Sequence, residues 1–412
     1  MFEFGRDLRK LFDTARESED LGWLELIGAD LVEAEARRET TDAGRVSCPR
    51  PFCAWIRAAA LWREHARRTG RRCSLDRARA AASDAMREAA TADQRALAAI
   101  SAGETHLLGF DLFGGPETLT AALSDLGGLS VDKSATRAAL AALSARLTAR
   151  RARLSAEPSA MLDAAALLDV ALQASRSHSS TTTDELRLDR AALSLEAGVA
   201  RRDGGLLDQA GRDLRALVES ASPDYRPLTR ARALALAGAG LLALARLAEN
   251  AAAAEQGMAL FEAAADQFTF DHSPLDWVAV QLVRSGRTPL DRLAQAERLS
   301  AEPGLILGAL ARDRHLEAKL GLAEAVSDIA AVNGLHGEVR RRLSASGTVQ
   351  PLDWAADQIG MARLALARAR LTGSHARAVG MMLAEAVETA RECGAPALME
   401  QAVLVTPEPV RP

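Results

Sequence analysis

Tyrosine is nearly absent from this chain, with one residue, Tyr225, among 412. Aromatics supply only 4% of the sequence and runs of β-branched residues are few, so the material for β-rich cores is missing. Lysine is almost as rare, at Lys10, Lys133 and Lys319. Arginine carries the remaining positive charge, 51 basic residues stand against 55 acidic ones, and the net charge is −4. No strongly basic domain emerges, which argues against a nucleic-acid partner. The arginine bias reads as GC-rich coding.

Four cysteines, Cys48, Cys53, Cys73 and Cys393, do not make a disulfide framework in a chain this long, and they suit a reducing compartment. The opening MFEFGRDLRKLF is charged at Glu3, Arg6, Asp7, Arg9 and Lys10 and lacks the apolar centre of a secretory signal. The expected location is therefore the cytoplasm. The longest uncharged apolar run, 233–245, is bounded by Arg232 and Arg246, is too short to span a bilayer and reads as a buried Ala-rich helix.

Several catalytic signatures are missing too: the His-Glu-x-x-His pair, the Gly-x-x-x-x-Gly-Lys phosphate loop and the Gly-x-Ser-x-Gly elbow. Gly238-Ala239-Gly240-Leu241-Leu242-Ala243 mimics a dinucleotide fingerprint, but it lies inside an Ala/Leu helix with no strand before it. Cys48, Cys53, His65 and Cys73 approach a metal set, yet their spacing departs from the tight pairs that zinc prefers. No catalytic residue, cofactor or metal is expected.

What the chain has in quantity is alanine, 88 residues, with abundant leucine and arginine. These are strong helix formers, and 412 residues exceed one compact core, so a stack of helical units is expected. Its punctuation is legible. Pro-Leu-Asp-Trp occurs at 274–277 and again at 351–354. With Ser273 as N-cap, Pro274 takes the first helical position and Asp276 the third, a capping box with proline where its missing N–H costs nothing. Thr288-Pro289-Leu290-Asp291, Gln350-Pro351-Leu352-Asp353 and Arg226-Pro227-Leu228-Thr229 repeat the grammar. Trp277 and Trp354 then fall one turn into their helices.

Between these starts lie small residues where helices must approach. In 191–223, Gly198 and Ala200 lie in a first helix, Gly204-Gly205 breaks it, and Ala210, Leu214 and Leu217 form the inward stripe of a second. Pro223 closes the unit after about 34 residues. From Pro227, Gly238 and Gly240 precede Ala263, Ala264 and Phe268; from Pro351, Ala362 and Ala365 precede Ala386, Ala390 and Cys393. Between them come a short pair from Pro274 to about 302 and a longer one from Pro303. The longer pair has Leu307-Gly308 in its first helix and Ala325 and Ile329 in its second. Over 185–395 this pattern resembles the tetratricopeptide repeat family. Earlier pairs at 54–69/75–90, 92–113/116–126 and 134–154/159–174 read as divergent repeats, with Ala78, Ala82 and Ala85 as the first small stripe.

The resemblance implies an all-α fold, a right-handed α-solenoid of stacked antiparallel helix hairpins. The organisation expected is a divergent region over 1–174, a repeat region over 184–395 and a cap with extended tail over 396–412. The polar run Ser175–Thr183 is the expected boundary loop. The resemblance also implies a non-enzymatic scaffold that holds another protein or peptide in the groove lined by first helices. Applied to this chain, the groove positions are Arg202, Arg232, Arg363 and Arg370, whose charge suits a carboxylate-bearing segment. The opening segment sets Phe2, Phe4, Leu8, Leu11 and Phe12 against Arg6, Arg9 and Lys10. Capping the end of the stack is its preferred role. Docking in a partner's groove and contact with a membrane, as in an envelope-assembly factor, are the alternatives.

Overall fold

The computed structural model describes residues 21–284, 286, 288–344, 350–374 and 378–405. Among them are 18 α-helices, one 3-10 turn (Gly22–Leu26) and no strand. Helices that are neighbours in the chain pack as pairs. The opening segment with Phe2, Phe4, Leu8, Leu11 and Phe12, and the tail beyond Val405, lie outside the described residues.

The first helices are α1 (Ala29–Ala43), α2 (Pro51–Thr69), α3 (Arg72–Glu88), α4 (Ala92–Phe113) and α5 (Pro116–Leu126). The hairpins α6/α7 (Ser134–Ser155, Pro158–Ser175), α8/α9 (Ser180–Arg201, Gly204–Ser220) and α10/α11 (Pro227–Ala248, Ala251–Ala265) follow. Next come α12/α13 (Pro274–Val283, Leu290–Leu299), α14/α15 (Ile306–Ala325, Ile329–Ser344), α16/α17 (Pro351–Thr372, Val379–Glu392) and α18 (Pro396–Val405). First helices also pack on first helices: α6 on α8, α8 on α10, α12 on α14 and α14 on α16.

Turn chemistry explains the breaks. Arg202, Glu249 and Ser327 are left-handed (φ 53°, 50° and 54°), and each is followed by an Asx residue that caps the next helix. Asp203 accepts from the N–H groups of Gly205 and Leu206, Asn250 from Ala253, and Asp328 from Ala331 at 2.9 Å. Two expectations shift accordingly. Gly204-Gly205 opens α9, because the break falls one dipeptide earlier under the Asp203 cap. Ala325 ends α14 and Ile329 opens α15, so the two residues do not share a helix.

The polar run is also mostly helix. Ser179 accepts from the Thr182 N–H at 3.2 Å, and this cap draws Ser180, Thr181, Thr182 and Thr183 into the first turn of α8. Only 176–179 connect α7 to α8. The proline grammar holds at Pro227, Pro274 and Pro351, which occupy the first turns of their helices. The predicted box at Ser273 takes another form: the Ser273 hydroxyl donates to the Asp276 carboxylate at 2.6 Å instead of capping a backbone N–H. In the following phrase the helix begins one residue later, at Leu290, and the Thr288 hydroxyl donates back to the Gln281 carbonyl.

The chain forms two compact units that are not successive segments. One comprises Met1–Glu64, Arg77–Glu104 and Ala122–His272. Its cores are Ala/Leu clusters, such as Ala142, Ala145 and Ala149 of α6 against Met161, Ala164 and Leu168 of α7 and Leu186 and Leu193 of α8. The run 233–245 is half-buried in α10 rather than enclosed: Ala233, Gly238 and Ala245 are covered, and the leucines between them remain partly accessible. Among the described residues α10 alone is long and apolar enough to cross a membrane. Small residues allow a close crossing, since a Cβ on Gly238 would press on the Gly257 carbonyl oxygen of α11. Ala200, expected at a close approach, is exposed, and Ala197 takes the buried position.

The other unit comprises His65–Asp76, Thr105–Ala121 and Ser273–Pro412. Here α14, α16, α17 and α18 share one core through Ala309, Leu352, Ile359, Leu383, Ala386 and Leu398. Two turns from early in the chain join it. Leu112 packs with Leu275 and Leu305. The Gly115 N–H at the α4–α5 turn donates to the Cys393 carbonyl at 3.0 Å.

Candidate functional site

Residues three, four and seven apart share one face of an α-helix, so Arg146, Arg150 and Arg153 form a row along α6. Within the first unit α8 answers with Glu185, Asp189 and Glu196. Arg146 reaches Glu185 and Asp189 at 2.8 Å each, Arg150 reaches Asp189 at 2.8 Å, and Arg153 reaches Glu196 at 2.6 Å. From α8, Arg190 continues the lacing to Asp169 at 2.5 Å and to Asp213. The planar guanidinium makes several directed bonds at once, which suits arginine to this work better than lysine.

The second unit repeats the device with the signs exchanged. Asp313, Glu317 and Glu324 stand on α14, and α16 brings Arg363 to Asp313 at 3.1 Å and to Glu317 at 2.8 Å. Arg370 meets Glu324 at 2.6 Å. Around this ladder lie Arg342 with Asp357 at 2.7 Å, His315 with Glu297 at 2.5 Å, and Arg312 with Asp353 at 3.3 Å. The aspartate of the repeated Pro-Leu-Asp-Trp phrase thus has a use beyond its own helix: Asp353 also accepts from the Gly304 N–H at 3.1 Å and fixes the turn before α14.

Burial and pairing pull these carboxylates in opposite directions. Burial raises Asp189, but Arg150 and Arg146 outweigh it and hold the carboxyl below the ordinary aspartate range. Burial likewise raises Glu297, and its bond to His315 reverses that effect. Asp313 goes the other way: burial pushes it up by more than Arg363 offsets, and neighbouring Glu317 adds to the rise. The stability owed to Asp189 is present above its unfolded-state value near about 4 and is lost as pH falls through the lower folded value. Asp189→Asn should therefore lower the thermal midpoint at neutral pH and flatten the fall in stability below about pH 4, as read from melting curves across the acid range.

The four arginines expected to line a groove have different surroundings. Arg202 is exposed in the hairpin turn, one residue past α8, as the left-handed C-cap. Arg232 is half-buried on α10. Arg363 is 11% exposed and committed to α14, whereas Arg370 keeps 61% exposure beside its partner. The structure brings Arg363 and Arg370 onto one ladder. Arg202 and Arg232 belong to the other unit.

Sequence reasoning missed the carboxylates that complete the pairs. The signal was available: Asp313, Glu317 and Glu324 share the spacing of a helix face, as do Glu185 and Asp189. Among the described residues no group of three or more His, Cys, Asp and Glu is placed to hold a metal. His65 is buried, with Nδ1 at 2.8 Å from the Ser74 hydroxyl, and all four cysteines are free thiols. In comparisons with family models, curated proteins and solved structures, nothing matches this chain.

Proposed function

We propose that this chain is a non-enzymatic interaction scaffold. It takes another protein's segment along the face where successive first helices lie side by side, within a right-handed tetratricopeptide-like solenoid. The observation that carries this reading is the direct packing of first helix on first helix, α6 on α8 and α14 on α16, with charged side chains aligned along the seam. Such a seam offers a long surface whose pairs can be shared with an incoming chain, as binding sites of repeat proteins do. Arg370 is the best-placed contact for a carboxylate, being largely exposed and, among the described residues, paired with Glu324 alone. Exposed pairs of this kind contribute about 0–1 kcal/mol, so Arg370 exchanges partners at little cost. Arg363 supports the seam instead.

The test is affinity capture from native lysate with wild type and with an Arg202→Glu/Arg370→Glu variant. Both residues are exposed, so helix content should stay unchanged. A protein held by wild type and lost from the folded variant supports the reading. Identical capture by both removes these arginines from the contact.

A further inference from the structure

Aromatic residues are few in this chain, and two of them stand exposed in the first unit. Tyr225 is 70% exposed, Phe270 48% and Leu26 39%. Buried Glu25 stitches their three segments together within the first unit. Its carboxylate accepts from the Thr229 N–H at 2.9 Å and from Arg226 at 2.8 Å, capping the start of α10. Its carbonyl meets His272 at 2.7 Å, and the Ala29 N–H donates to the Asp271 carbonyl at 3.0 Å. Leu26 adjoins Glu25, Tyr225 adjoins Arg226, and Phe270 precedes Asp271. The three segments, each carrying one of these exposed apolar side chains, therefore meet at one stitched edge.

Three exposed carboxylates, Asp30, Asp224 and Asp271, share that edge, and none has a cationic partner among the described residues. The nearby cations are already engaged: Arg226 by Glu25 and Asp184, and Arg230 by the Val218 carbonyl. An open tyrosine face beside unpaired carboxylates is the chemistry that receives guanidinium groups, which stack on the ring and bond to the acid together. We infer that this edge binds an arginine-bearing amphipathic segment of a partner protein. Its apolar residues would cover Leu26 and Phe270. The surface has the opposite charge preference to the first-helix arginines and does not depend on them.

The test is fluorescence anisotropy on the full chain with a labelled 18-residue amphipathic peptide of leucine and arginine, alongside a leucine/glutamate control of the same length. The arginine peptide should bind and the control should not. Tyr225→Ala/Phe270→Ala should weaken binding about tenfold or more, since exposed aromatic anchors dominate such contacts. Asp224→Asn/Asp271→Asn should weaken it about fivefold and reduce its salt dependence. Circular dichroism of both variants should match wild type, because every changed side chain is exposed. Equal affinity in wild type and both variants would overturn the inference. So would a photo-crosslinker at position 270 that captures another part of this chain, or a second copy, in place of the peptide.

Discussion

Replacing Arg363 with alanine should lower the stability of the second compact unit by about 3–5 kcal/mol, the cost of leaving one half of a buried ion pair alone. Asp313 has no exposed side-chain surface, and Arg363 provides two of its contacts at 3.1 Å. Without the guanidinium, the carboxylate must take up a proton or face Glu317 with only the weaker influence of Arg314 to offset it. The pH dependence follows from its sign. Asp313 is raised in the folded protein, so its protonated form is the one folding favours, and the contribution is fully present below the unfolded value. It is lost as pH rises through the folded value. The deficit of Arg363→Ala should therefore shrink as pH falls into the carboxylate range. Denaturant titrations at neutral and acidic pH give the comparison. The double change Asp313→Leu/Arg363→Met should recover most of the loss, since an apolar pair of similar volume avoids the desolvation cost of both charges.

Gly114→Ala should cost nearly as much by a steric route. Gly114 has φ +74°, and a Cβ there would overlap the backbone carbonyl oxygen of Cys393. Left-handed backbone alone costs a non-glycine residue about 1–2 kcal/mol. Forcing apart a packed contact adds roughly 1–3 kcal/mol, and here the obstacle is backbone with no rotamer to change. The damage should be local before it is global. Hydrogen exchange should quicken around 105–121 and at the end of α17, where the Gly115 N–H meets the Cys393 carbonyl. By contrast, Gly360→Ala meets only a Leu316 methyl group, a side-chain tip that can move, and should be tolerated.

Helix positions were legible because their signals are local. The pairs expected at 92–113/116–126 and 134–154/159–174 lie within a residue or so of α4/α5 and α6/α7, since alanine-rich stretches between proline starts have few other conformations. Breaks were legible where proline or glycine marked them. They were misplaced where arginine or serine entered the left-handed region and an aspartate capped the next helix, as at Arg202-Asp203 and Ser327-Asp328. Arg363 and Arg370 could be chosen from sequence, but their partners lie 50 and 46 residues away, and pairing at that distance depends on how α14 and α16 align. The Glu25 clamp was beyond sequence reasoning altogether: a residue in a short 3-10 turn caps a helix that begins about two hundred positions later.

The scaffold reading places the working surface on the first helix of each pair. The most direct measurement of that claim is hydrogen exchange on the full chain, alone and bound to the protein captured in the arginine-variant experiment. Protection concentrated on α8, α10, α14 and α16 is the predicted result. Protection confined to α9, α11, α15 and α17, with the first helices unchanged, would contradict it.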